Sequence, residues 1–131
     1  MSDASRPLSP HLQVYRFTYT MATSIFHRAT GLALAAGFLG LVATLIALAD
    51  GPQAYAVAYE LLKGVVGKLA LIGLLTAFWY HTFAGLRHLA FDAGYGLDKR
   101  AARRSATWLF AATALAALLS AYCLLAGGAR P

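Results

Sequence analysis

Charged residues are scarce in this chain. They make up 12% of its 131 residues, whereas a soluble domain carries about 25%, and only five of them are acidic. So few charges cannot cover the surface that a water-soluble fold of this size exposes, and 60% of the residues are hydrophobic. The composition therefore excludes an ordinary soluble domain and predicts that apolar surface faces lipid or partner proteins.

Cysteine is nearly absent as well. With Cys123 alone, an internal disulfide and a multi-cysteine metal site within this chain are excluded. Because Cys123 lies in an apolar run, we expect a small buried hydrophobic side chain rather than a reactive thiol. The first seven residues lack the apolar core of a secretory signal and the arginines of a transit peptide. We therefore expect a bacterial plasma membrane protein rather than a mitochondrial one.

Three long stretches carry no charge: residues 29–49, 69–86 and 105–129. A helix needs about 20 residues to cross the hydrocarbon core of a bilayer, and helices satisfy their own backbone hydrogen bonds there. The sequence thus predicts an all-α integral membrane protein with three transmembrane helices, at about 21–49, 64–92 and 104–128. Residues 1–20 are expected to be an extended leader, and residues 21–131 the anchor domain. The Gly51-Pro52 pair is expected to end the first helix.

Basic residues predict the orientation of these helices. Eight are expected on one face of the membrane and three on the other. The first group consists of Arg6, Arg16, Arg28, Arg87, Lys99, Arg100, Arg103 and Arg104, and the second of Lys63, Lys68 and Arg130. The positive-inside rule then places the N-terminus in the cytoplasm and the C-terminus on the outer side. Since these charges lie between apolar blocks, the net charge of +6 indicates a membrane surface and not nucleic acid.

The start of the first helix carries a polar cluster. At about 100° per residue, one narrow face holds Ser24, His27, Arg28 and Gly31. A hydroxyl, an imidazole and a guanidinium at one depth can hold an anionic or carbonyl-bearing ligand, and the glycine would let a flat group approach. The alternative is that the basic side chains reach lipid phosphates and that Ser24 is a helix-start residue.

The second helix places His81 well inside its apolar stretch, where an ionisable residue suggests a function. Gly85, His88 and Asp92 share its face. Small neighbours leave space for a broad, flat group, namely Ala77, Ala84 and Gly85, and a neutral imidazole is a common axial ligand of haem iron. The alternative is that His81 hydrogen-bonds a neighbouring helix and that the small residues permit close packing.

A haem held by two histidines needs a second imidazole, and no other histidine of this chain is suited. His27 is expected at a different depth from His81, His88 is two turns away on the same helix, and His11 is expected outside the membrane. If His81 binds haem, the second axial ligand is expected from another subunit.

Three sequence patterns in order resemble the family of succinate dehydrogenase cytochrome b subunits, the membrane anchors of respiratory complex II. They are Arg6-Pro7-Leu8, Ser24-x-x-His27-Arg28-x-Thr30-Gly31, and His81-x-x-x-Gly85-Leu86-Arg87-His88-Leu89-x-Phe91-Asp92-x-Gly94. Together they span residues 6–94, and the third helix matches in length and character alone.

The resemblance implies roles for individual residues. His81 would be an axial ligand of haem b, whose other ligand comes from a second hydrophobic anchor subunit. Ser24 and Arg28 would form part of the ubiquinone site, while His27 and Arg28 would lie near the haem propionates. His88 and Asp92 would give polar support to the haem or the quinone.

The resemblance also implies that this chain is the non-flavin subunit of an enzyme of the citric acid cycle and the respiratory chain. A flavoprotein subunit would oxidise succinate, and an iron-sulfur subunit would pass electrons on to ubiquinone. The chain has no flavin fingerprint or cysteine cluster for those steps. The alternatives are a fumarate reductase-type anchor and a purely structural anchor without haem. A channel or transporter is disfavoured, because no helix has a continuous polar stripe.

Overall fold

The computed structural model describes residues 17–127, which form four helices and no strand. They are α1 (Tyr19–Ala49), α2 (Pro52–Lys63), α3 (Val65–Asp92) and α4 (Lys99–Gly127). Three of these, α1, α3 and α4, are long and apolar enough to cross a membrane. The prediction of an all-α chain with three membrane-spanning helices is thereby confirmed at the level of architecture. Most of the leader, with Arg6, His11 and Arg16, lies outside the described residues, as does Arg130.

Side-chain caps set the starts of two long helices. At α1, the Thr18 hydroxyl oxygen accepts a hydrogen bond from the Met21 amide, at 3.4 Å. At α4, the Asp98 carboxylate accepts from the amides of Arg100 and Ala101, at 3.0 and 3.2 Å. Such caps satisfy amides that have no partner in the first turn of a helix. Asp98 thus starts α4 at Lys99, several residues before the predicted start near residue 104.

The short helix α2 was not predicted. Gly51 adopts a φ of 116°, and Pro52 follows as the first helical residue. Proline suits that position because its fixed φ is helical and the first amide needs no partner within the helix. The pair therefore starts α2 after α1 has ended at Ala49, instead of simply ending the first helix.

Helix α3 lies between α1 and α4 and is antiparallel to α1. Two glycines of α1 show its register against α3. A Cβ atom on Gly31 would contact His81, and one on Gly37 would contact Leu74. On the other side of α3, Tyr80 and Ala84 pack with Leu109 of α4. The start of α1 and the end of α3 are consequently on the same side of the helices.

Buried residues are few within residues 17–127. The buried hydrophobic side chains are Ala77, Tyr80, Ala84, Ala106 and Leu109, whereas large apolar side chains such as Leu32 and Phe38 are exposed. Exposure of this kind suits contact with lipid or other subunits. Ala77 and Ala84 are buried, and Ala84 packs with Tyr80 and Leu109, in keeping with the alternative of close helix packing. One expectation was wrong, since Cys123 is exposed on α4 rather than buried.

Candidate functional site

His81 is held against α1 through its Nδ1 atom. This atom lies 3.1 Å from the carbonyl oxygen of His27 and 3.3 Å from the hydroxyl oxygen of Thr30. A carbonyl can only accept, so the proton of a neutral His81 ring must be on Nδ1. The Nε2 atom then keeps its lone pair. It has no hydrogen bond within residues 17–127 and is not enclosed by them. The free lone pair therefore points to where a ligand or metal could reach it.

Gly31 makes this arrangement possible. A Cβ atom on Gly31 would lie 3.0 Å from Cε1 and 3.5 Å from Nδ1 of His81. The flat group that this glycine admits is thus the imidazole of His81 itself, and not an external ligand as the sequence suggested.

His27 lies beside His81 and not at a different depth, so that expectation was wrong. The two rings stack with centroids 4.1 Å apart and an angle of 22° between their planes. The ring of His88 also lies near His27, with centroids 5.0 Å apart. Gly85 lies beside His27, and a Cβ there would meet its Nε2 atom at 3.7 Å, an ordinary contact distance. That Nε2 atom is buried and has no hydrogen-bond partner among the described residues. The expectation failed because the register between α1 and α3 is not visible in either helix alone.

The predicted narrow face of α1 is divided by the packing of the helices. His27 and Gly31 face α3, whereas Arg28 is exposed and Ser24 is half-buried. Within residues 17–127, neither Ser24 nor Arg28 uses its side chain in a hydrogen bond or ion pair. No partner among the described residues thus occupies the Ser24 hydroxyl or the Arg28 guanidinium.

His88 and Asp92 do not form a pair. No hydrogen bond joins them in the part of the chain that the structure describes, and Asp92 is exposed at the end of α3. His88 instead lies with its ring edge-on to Phe91, with centroids 6.3 Å apart. The structure therefore brings His88 into the group of His27 and His81 and leaves Asp92 outside it.

A second polar cluster was missed from the sequence. Arg87, counted from the sequence among the basic residues of one membrane face, lies within α3 and reaches both neighbouring helices. Its Nε donates to Ser105 Oγ at 2.9 Å, its Nη1 to Thr23 Oγ1 at 3.2 Å, and its Nη2 to the carbonyl of Ala102 at 3.0 Å. The guanidinium also lies over the ring of Phe91, 4.5 Å from its centroid. Arg87 therefore joins α1, α3 and α4.

Tyr80 extends this cluster. Its hydroxyl donates to the carbonyl oxygen of Thr23 at 3.0 Å, and Thr23 is almost fully buried. Together with Arg87, these contacts fix α1 and α3 close to the level of His27. The side chains that position His81 thus lie next to a polar cluster that holds the three long helices together.

The histidines do not form a metal site on their own. The rings of His27 and His81 stack face to face, so their nitrogens do not converge on one point. In the described range, no group of three or more His, Cys, Asp or Glu side chains could hold a metal ion. Among residues 17–127, His81 is the histidine whose ring is fixed by hydrogen bonds through one nitrogen, which leaves the other nitrogen for a ligand.

Comparisons with known proteins agree on one family. The profile of the succinate dehydrogenase/fumarate reductase transmembrane subunits matches residues 2–120. The succinate dehydrogenase cytochrome b556 subunit of Paracoccus denitrificans is 45% identical over 120 residues, which cover 92% of each chain. The cytochrome b560 subunit of Reclinomonas americana is 42% identical over 73% of this chain and 70% of its own. The mitochondrial cytochrome b560 subunit of Sus scrofa is 42% identical over 72% of this chain and 57% of its own.

Proposed function

Since the chain belongs to the succinate dehydrogenase/fumarate reductase transmembrane subunit family, we propose that it binds haem b through His81 and forms part of a ubiquinone-reduction site. It would do so as the cytochrome b anchor of complex II, an oxidoreductase assembly. The observation that carries the proposal is the accessible Nε2 lone pair of His81, on a ring whose Nδ1 faces the carbonyl of His27.

The donor set of His81 suits a haem iron. Metal-binding histidines commonly donate their other ring N–H to a carbonyl, which fixes the tautomer and raises the basicity of the ligating nitrogen. Bound haem b would supply a one-electron redox centre near the quinone. The chain's own contribution is to hold the imidazole in one orientation against α1.

The second axial ligand is proposed to come from a second hydrophobic anchor subunit. Two axial imidazoles must lie on opposite faces of a porphyrin, whereas the His27 and His81 rings stack directly on each other at 4.1 Å. No porphyrin fits between rings so placed. His27 is therefore unsuited to be the second ligand, although it lies at the right depth.

Two residues are proposed to serve the haem propionates. Arg28 is exposed on α1, and its guanidinium can bind a carboxylate in a bidentate manner. The Nε2 atom of His27 is buried and has no partner within residues 17–127, and a buried polar atom ordinarily has one. Because this atom is buried in the structure, its contact with a propionate would require the His27 ring to turn.

Ser24 and Arg28 are proposed to bind ubiquinone. They lie one helical turn apart on α1, so both can face one ligand. The Ser24 hydroxyl would donate to a quinone carbonyl, and the Arg28 guanidinium would stabilise negative charge that develops on the quinone oxygen. His88 and Asp92 are proposed as polar support at the same end of the helices.

The surrounding assembly is proposed on the same basis. A flavoprotein subunit would oxidise succinate, and an iron-sulfur subunit would deliver electrons to the quinone beside Ser24. The excess of basic residues supports the proposal that the N-terminus lies in the cytoplasm and the C-terminus on the outer side. A bacterial plasma membrane is favoured by the match to the Paracoccus denitrificans subunit over 92% of both chains.

A visible spectrum of the purified complex tests the proposal. His81→Gly should abolish the haem bands or shift them, and added imidazole should restore them by filling the vacated position. Thr76→Val, on the exposed side of α3, is the matched control and should leave the bands intact. Unchanged bands in His81→Gly would refute ligation by this residue. A wild-type complex without haem bands would identify a purely structural anchor.

A further inference from the structure

We propose that Thr30 and Gly31 are positioning residues for the imidazole of His81, setting its proton position and its ring plane. This inference rests on the proposed haem ligation by His81. The two residues act from α1 on a side chain of α3, and they sit on one helical turn next to the His27 carbonyl that His81 also contacts.

The hydroxyl proton of Thr30 is already committed to the backbone. Thr30 Oγ1 lies 2.8 Å from the carbonyl oxygen of Phe26 and 2.9 Å from that of His27, and neither carbonyl can donate. The hydroxyl therefore donates to its own helix. Its lone pair is left to face Nδ1 of His81, 3.3 Å away.

Nδ1–H of His81 is thus shared between two acceptors. The His27 carbonyl at 3.1 Å is the shorter contact, and the Thr30 oxygen at 3.3 Å is the longer one. Both acceptors disfavour the tautomer that carries the proton on Nε2, because the lone pair on Nδ1 would then face the lone pairs of the two oxygen atoms. Two acceptors on one N–H also restrict rotation of the ring more than a single acceptor would.

Gly31 sets the plane of the ring from the side. Because a Cβ on Gly31 would lie 3.0 Å from Cε1 of His81, the ring occupies space that any other residue would fill. The stacked ring of His27 confines His81 on another side, with planes 22° apart. Thr30 and Gly31 together thus determine the direction in which Nε2 points.

Thr30→Val and Thr30→Ser test the hydroxyl in the purified complex. Valine keeps the shape and removes the acceptor, while serine restores it. Thr30→Val should raise the midpoint potential of the haem, because a less basic Nε2 stabilises ferric iron less. It should also weaken haem retention, by about 10-fold on the scale of outer-shell ligand partners. Thr30→Ser should match the wild type in both measurements.

Gly31→Ala tests the ring plane, with Gly40→Ala as the control on the same helix. A Cβ on Gly40 has open space, so that variant should behave as wild type. Gly31→Ala should shift the largest g value of the ferric haem in electron paramagnetic resonance, since this value depends on the planes of the axial ligands. The Gly31→Ala variant supplies an independent measurement if the Thr30→Val complex does not assemble.

The outcomes separate this inference from the function on which it rests. Retention of the haem bands in His81→Gly would overturn the ligation itself. Loss of those bands, with an unchanged potential in Thr30→Val and an unchanged g value in Gly31→Ala, would leave His81 as ligand and overturn the positioning role. An equal shift in potential for Thr30→Val and Thr30→Ser would also overturn the role of the hydroxyl.

Discussion

The guanidinium of Arg87 on α3 donates a hydrogen bond to the Thr23 hydroxyl on α1, across 3.2 Å. Thr23 is itself almost fully buried, and its backbone carbonyl accepts from Tyr80. No carboxylate pairs with Arg87 in residues 17–127; hydroxyls, one carbonyl and an aromatic ring surround it instead. A cation in such surroundings joins helices through several donors at once.

Arg87→Met should therefore destabilise the packing of α1 and α4 on α3. Methionine keeps much of the apolar stem but removes three hydrogen bonds, and the expected loss is about 2 kcal/mol, since bonds to charged groups contribute about 1.5–3 each in soluble proteins and less in membranes. Thermal unfolding of the purified complex measures it. Arg104→Met, at an exposed position of α4, is the control. Equal stability of the two variants would contradict this role.

Arg28→Ala and Ser24→Ala should impair quinone reduction and spare succinate oxidation. Loss of one hydrogen bond to the quinone oxygen costs about 1.4 kcal/mol, or about tenfold in rate, and loss of the charged donor costs more. The succinate–ubiquinone rate reports the effect, and the rate with a soluble dye on the same sample is the internal control. A parallel fall in both rates would point to an assembly defect instead of a local quinone role.

Gly67→Ala should disturb the tight turn between α2 and α3. Gly67 is buried, and a Cβ there would overlap the backbone carbonyl oxygens of Leu61 and Leu62, which cannot move aside as a side chain can. We expect a loss of about 2 kcal/mol, in the range of overpacked sites. Gly73→Ala has open space on the same helix and should be neutral. Thermal unfolding of both variants in the same detergent measures the difference, and equal stability of the two would contradict the prediction.

Reporter fusions should reveal the orientation of the helices. An alkaline phosphatase fused after Gly127 should be active, because the enzyme folds on the outer side, where the C-terminus is proposed to lie. The same reporter fused between α3 and α4, after Gly96, should be inactive. The reverse pattern of activity would overturn the orientation drawn from the basic residues.

The long helices could be predicted because their signal is local. Each has a long uncharged stretch, and nothing outside the segment is needed to interpret it. The helix α2 was missed because Pro52 after Gly51 signals both the end of one helix and the start of another, and hydropathy alone does not distinguish them. The early start of α4 depends on the side chain of Asp98, which the hydropathy pattern ignores.

The site was less accessible from sequence, because its contacts join different helices. A helical wheel placed His27 and His81 correctly on their own helices but contains no register between them, and the stacking of their rings follows from that register. Arg87 was counted only as a charge on one membrane face, because charge usually marks a membrane boundary. Its partners Thr23 and Ser105 are distant in the sequence, and no pattern in one helix reveals them.

The carbonyl that faces His81 belongs to the main chain of residue 27, so no side-chain replacement can delete it. A mutagenesis survey at that position would alter ring stacking and leave the acceptor in place, and its results would understate how much this turn of α1 contributes. A natural substitution at residue 27 would likewise keep this carbonyl acceptor, provided that the turn stays helical. Only a change to the polypeptide backbone itself, such as an ester linkage in place of the amide, alters that oxygen directly.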